Sequence, residues 1–134
     1  TVKLVPKPRV ARCVLAAFDD IRRAGQAVAD IIAAGIIPAG LELMDQATTV
    51  AVEAFVHAGY PLDAAAILLC ESDGTAEEVE DEIARVRALL DRHRTVALVA
   101  AGGVGKTHLA RAVADARRAP NTGAARRTTS PRAR

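Results

Sequence analysis

The chain has 134 residues, enough for one modest domain, and an apolar content of 51% permits a buried core. The chain has no Trp, and its Phe and Tyr residues are Phe18, Phe55 and Tyr60. So few aromatic side chains exclude the stacking platforms that bind nucleic-acid bases. The net charge of +2 is split unevenly, because residues 1–94 carry a net −5 and residues 95–134 a net +7. This break indicates two stretches of different origin or role. No apolar run reaches the ~18 residues of a membrane span, so we expect none.

The first half of the chain predicts two strand–helix pairs. Residues 12–18 form a compact apolar run typical of a buried strand, and Asp19 and Asp20 are favourable residues for the start of a helix. Gly35 then ends that helix. The residues at helical spacing, expected to face the core, are Ile21, Ala24, Val28, Ile31 and Ile32. Residues 41–44 predict a second strand, and Asp45 the cap of a helix over 46–57.

The second half repeats this alternation. Residues 64–70 predict a third strand, followed by a turn at Asp73-Gly74. Thr75 and Glu78 have the spacing of a capping box, which begins a helix that ends near His93. Its apolar stripe is Val79, Ile83, Val86 and Leu90. Residues 95–100 predict a fourth strand. Periodicity alone leaves open whether the strands form a parallel α/β sheet or an α+β arrangement.

The two cysteines, Cys13 and Cys70, lie in apolar, strand-like runs. We expect buried, reduced thiols, which favours a cytoplasmic location. Neither these residues nor the three histidines have ligand partners at metal spacing, so no metal site is predicted.

Three acids, Glu42, Asp45 and Glu71, lie near the ends of predicted strands. Two carboxylates held close together can divide acid and base roles in catalysis. Helix capping and surface solvation are the favoured interpretation of all three.

A glycine loop over residues 100–107 resembles the phosphate-binding loop G-x-x-x-x-G-K-[ST]. In such loops backbone N–H groups surround a phosphate, here aided by Gly105, while Lys106 would reach the outer phosphates and Thr107 would hold magnesium. Ala100 replaces the first glycine, and Asp115 is the only acid that follows. A nucleotide-phosphate-binding module is therefore kept as the alternative function, beside an accidental glycine-rich turn.

Six segments, in order and at matching spacing, resemble the C-terminal domain of FAD-linked oxidases, above all the FAD-linked subunit of glycolate oxidase and its D-lactate dehydrogenase relatives. The segments are residues 3–8 (KLVPKP), 14–19 (VLAAFD), 30–38 (DIIAAGIIP), 41–45 (LELMD), 57–61 (HAGYP) and 67–71 (ILLCE). The resemblance implies an α+β fold, a ferredoxin-like α/β sandwich fragment over residues 1–100. It also implies that an FAD-binding domain, absent here, pairs with this one.

The family implied by the resemblance oxidises a 2-hydroxyacid such as glycolate or D-lactate to a 2-oxoacid. Its substrate-binding basic residues and metal-ligating histidines lie downstream of the matched segments, so no catalytic residue is carried over and the fragment is expected to be inactive alone. We expect Glu42, Met44 and Asp45 to face the flavin half. The expected partners are that FAD-binding domain, other oxidase subunits and the small 2-hydroxyacid, with no nucleic acid.

The resemblance fades between His93 and Ala100, where the charge also changes sign. Residues 101–134, the basic tail, are rich in Gly and Arg, and we expect an irregular, disordered segment. Residues 107–118 could form a helix, whereas the chain from residue 119 has no apolar period. A shifted reading frame is a further hypothesis. Codons can be chosen for residues 126–130 that, read two bases later, encode Pro-Asp-Tyr-Phe, close to a segment that the family carries downstream.

Overall fold

The computed structural model describes residues 8–93, with side chains, and residues 96–101, as backbone. Four strands alternate with three helices along this part of the chain. In order they are β1 (Val10–Phe18), α1 (Ile21–Ala33), β2 (Gly40–Asp45), α2 (Gln46–Val56), β3 (Ala66–Gly74), α3 (Ala76–Arg92) and β4 (Val96–Ala101).

The strands form one antiparallel sheet in the order β2-β3-β1-β4. The central strand β1 pairs with β3 on one side and β4 on the other, and β2 is the outer neighbour of β3. This is the strand order of a ferredoxin-like α+β fold, with α2 inserted between β2 and β3. The antiparallel pairing confirms the predicted fold class and decides against a parallel α/β sheet.

Helices α1 and α3 pack side by side on one face of the sheet, called here the α1/α3 face. Even-numbered residues of β1 and β3 point to this face, as the period of two along a strand requires. They form the main core with the buried stripes of the two helices. The predicted stripe of α3 is confirmed, because Val79, Ile83, Val86 and Leu90 are all buried.

The start of each helix follows the capping rules. Asp20 accepts a hydrogen bond from the Arg22 N–H at 2.8 Å and is the N-cap of α1. At α3 the Thr75 hydroxyl accepts from the Glu78 N–H, and the Glu78 carboxylate accepts from the Thr75 N–H, which confirms the predicted capping box.

Two details of the predicted elements are wrong. The third strand does not turn at Asp73-Gly74, because both residues stay paired with β1, opposite Ala11 and Val10. In α1, Ile21 and Ile32 are about half exposed, and the buried positions are Ala24, Ala27 and Ile31. The stripe of α1 that faces the sheet is therefore made mainly of alanines, and the larger Ile21 and Ile32 lie at its exposed edges.

Polar contacts join the ends of α1 and α3 across the α1/α3 face. The Arg85 guanidinium donates to the Ala34 carbonyl at 2.8 Å, just beyond the end of α1. His93 Nε2, at the end of α3, lies 3.0 Å from an oxygen of Asp30. These contacts add polar links between two helices that otherwise pack through apolar side chains.

Candidate functional site

The opposite side of the sheet, called here the α2 face, carries the residues that the sequence singled out. Odd-numbered residues of β1 and β3 point to it and form a second apolar cluster with the turn after α2. In β2, Glu42 pairs with Leu69 and Met44 with Ile67, and both partners belong to that cluster. The register therefore brings Glu42 and Met44 to one face, and Met44 packs against the cluster half-buried.

A second carboxylate, Glu71, lies on the same face. It is opposite Gly40 in β2, and a Cβ built on Gly40 would lie 3.7 Å from the Glu71 Cβ. Glu42 and Glu71 are thus diagonal neighbours on adjacent strands, a relation that places the two residues about 7–8 Å apart and their Cβ atoms somewhat closer. Two of the three acids noted in the sequence share one surface.

The charge of this surface limits what it can bind unaided. On the α2 face, the described strands β1–β3 carry Glu42, Glu71 and Asp73 and no Lys or Arg. Any cation that neutralises an anionic ligand here must therefore come from outside strands β1–β3.

The third acid, Asp45, has a different role. Its carboxylate accepts a hydrogen bond from the Thr48 N–H at 2.8 Å and is the N-cap of α2, as the sequence predicts. The Thr48 hydroxyl and N–H lower the pKa of Asp45 below its ordinary value. Asp45 is therefore held by its own helix, while its neighbours Glu42 and Met44 lie on the sheet surface.

Sequence reasoning missed one ordered feature, a turn held by Glu53. The Glu53 carboxylate accepts from the N–H groups of Gly59 at 2.7 Å and Tyr60 at 3.1 Å. His57 ends α2 in the left-handed conformation, with φ 50°, and this directs the chain back to Glu53. The signal in the sequence is a single acid in an otherwise uncharged helix, six residues before Gly-Tyr-Pro.

This turn builds part of the α2 face. Ala58 and Tyr60 are buried in the second cluster beside Leu15 and Ile67. Gln46, at the other end of α2, donates from its side chain to the Leu62 carbonyl at 2.8 Å and from its N–H to Ala65. The segment that connects α2 to β3 is therefore held by hydrogen bonds to both ends of α2, at Gln46 and at Glu53.

The residues of the alternative phosphate loop, Gly105, Lys106 and Thr107, lie outside the described residues, and so does the rest of the basic tail. The described strand that precedes the loop, β4, pairs antiparallel with β1. The phosphate-loop hypothesis stays a prediction.

Within residues 8–93 and 96–101 there is no group of three or more His, Cys, Asp or Glu that could hold a metal ion. In the same part of the chain, no helix combines the length and apolarity that crossing a bilayer demands.

The sequence profile of a family described as FAD linked oxidases, C-terminal domain, matches residues 7–134. The chain belongs to this family. The predicted resemblance is confirmed, and FAD is the cofactor implied for the full-length enzymes of the family. The family match continues beyond residue 100, so the proposed boundary there stays a prediction.

Curated relatives of this FAD-linked oxidase domain point to one group of enzymes. The chain is 59% identical over 90 residues to glycolate oxidase subunit GlcD of Escherichia coli (strain K12), an alignment that covers 67% of this chain and 18% of that protein. It is 43% identical over 97 residues to glycolate oxidase subunit GlcD of Bacillus subtilis (strain 168), covering 72% and 21%. The chain thus spans about a fifth of the relatives that it matches.

Solved structures of alkyldihydroxyacetonephosphate synthase share the fold. One, in space group P1, superposes with a TM-score of 0.62 at 15% identity, covering 72% of this chain and 22% of that one. A second, in P212121, also gives 0.62, at 17% identity, covering 81% and 23%. At this identity the likeness shows the fold alone.

The α2 face of the described strands offers no cation for the pyrophosphate of FAD, because the charged side chains that β1–β3 carry on it are all acidic. Met44 lies half-buried on this face, above Leu15, Ile67 and Leu69, which are buried.

Proposed function

We propose that this domain is the substrate-side part of an FAD-dependent enzyme that oxidises glycolate to its 2-oxoacid, and that it is inactive by itself. The observation that carries the proposal is the 59% identity to a glycolate oxidase subunit over 90 residues. The α2 face, with Glu42 and Met44 on it, is the surface proposed to lie against the flavin.

In this arrangement the domain forms one side of the substrate site and keeps water out of it. FAD, when bound by its own domain, would supply the acceptor for the hydride from the α-carbon of the hydroxyacid, and the hydroxyl proton would pass to a base of the assembled enzyme. The apolar cluster beneath Met44 excludes water from one side of the site. The charged side chains that β1–β3 carry on this face are all acidic. Cationic residues outside these strands are therefore proposed to hold the substrate carboxylate.

The choice of substrate within the 2-hydroxyacids is also part of the proposal. Glycolate is proposed first because both curated relatives are named as glycolate oxidase subunits. D-lactate, which carries one more methyl group, is the second candidate. A single methyl group in a pocket changes specificity only about 10- to 200-fold, so both belong in the assay.

A chimera tests the proposal directly. The matching 90 residues of E. coli GlcD are replaced by those of this chain. We expect the purified chimera to retain FAD absorbance and to reduce a dye with glycolate, whereas the isolated 134-residue chain does neither. A chimera that binds FAD but oxidises neither glycolate nor D-lactate contradicts the proposal.

The proposed partners follow from the relatives. They are the FAD-binding domain of the same enzyme and, because the relatives are named as subunits, other oxidase subunits. A cytoplasmic location is proposed because Cys13 and Cys70 are both buried and form no disulfide bond.

The domain boundary at residue 100 is likewise a proposal, supported by the change from net negative to net positive charge. If the basic tail arises from a shifted frame, reading the neighbouring DNA in the other two frames restores family sequence after about residue 94. Family sequence in no shifted frame removes that explanation of the tail.

A further inference from the structure

We draw no further inference here: the strongest candidate, the exposed apolar surface that Ile21 and Ile32 form on the flank of α1 facing away from α3, together with Leu43 on the same side of the outer strand β2, carries nothing because no contact among the described residues shows what covers it.

Discussion

His93 Nε2 lies 3.0 Å from Asp30 Oδ2 across 63 residues of sequence, and this contact joins the end of α3 to α1. The other Asp30 oxygen accepts from the Gln26 side chain at 2.8 Å. Hydrogen bonds from Gln26 and then from His93 lower the pKa of the Asp30 carboxyl below its ordinary value.

This pair predicts an acid-dependent loss of stability. A carboxyl whose pKa is lowered by folding stabilises the native state above its unfolded pKa, and the contribution is lost as the pH falls through the folded pKa. In urea titrations we expect Asp30→Asn to have a lower midpoint than the native chain at neutral pH. The difference should shrink below the ordinary carboxyl pKa of 3.8. A difference that stays constant into strong acid contradicts this account.

Glu53 is predicted to hold the turn after α2. Replacing it with alanine leaves the N–H groups of Gly59 and Tyr60 without their charged acceptor, and we expect the free energy of unfolding to fall by about 2 kcal/mol. Glu53→Gln keeps one acceptor oxygen and should lose about half as much. The matched control is Glu80→Ala on the exposed side of α3, expected to change stability by less than about 0.5 kcal/mol. If Glu53→Ala and Glu80→Ala lower the free energy of unfolding equally, the hydrogen bonds from the turn to Glu53 do not stabilise the fold.

Asp45 offers a way to separate capping from contact with the flavin. Asp45→Ala should cost about 1 kcal/mol of stability because α2 loses its cap, and Asp45→Ser should restore it because a serine hydroxyl also caps. If Asp45 only caps, Asp45→Ser also restores glycolate oxidation in the chimera. Restored stability without restored activity would instead assign Asp45 a contact in the active site.

The two cysteines are predicted to be inert in the folded protein. Cys13 faces the second cluster and Cys70 the main core, and burial raises the pKa of the Cys70 thiol to about 12. We expect a water-soluble thiol reagent to label neither residue in buffer and both in urea. Rapid labelling of either cysteine in buffer would mean that the sheet opens locally.

The phosphate-loop alternative has its own test. We expect ATP with magnesium to leave the melting temperature of the 134-residue chain unchanged, since the described strands form an antiparallel sheet of the oxidase family. A rise in melting temperature that Lys106→Ala abolishes would show a nucleotide site in addition to the oxidase fold.

Local patterns of the sequence were enough for most elements because their causes are local. The capping box at Thr75 and Glu78, the cap at Asp45 and the stripe of α3 each depend on residues within a few positions of one another. The end of β3 was predicted wrongly for the opposite reason. Asp73-Gly74 has the composition of a turn, but pairing with β1, more than fifty residues away, keeps it in the sheet.

The candidate site also depends partly on local sequence and partly on pairing between distant strands. Sequence resemblance named Glu42 and Met44, whereas the pairing of β2 with β3 placed them on one face and brought Glu71 beside Glu42. The role of Glu53 also could not be read from its neighbours, because the acceptor on the helix and the donors in the turn meet only when His57 adopts a left-handed conformation.

For this protein, the sequence by itself determined the family, the order of strands and helices, and the caps that begin the helices, because these depend on short-range pattern and on identity to relatives. Only the tertiary structure decided which faces the side chains share, which apolar residues of α1 are buried, and that α2 has an uncharged outer side. The physical reason is that burial and strand register arise from contacts between distant segments. Such contacts carry no signature in any single segment.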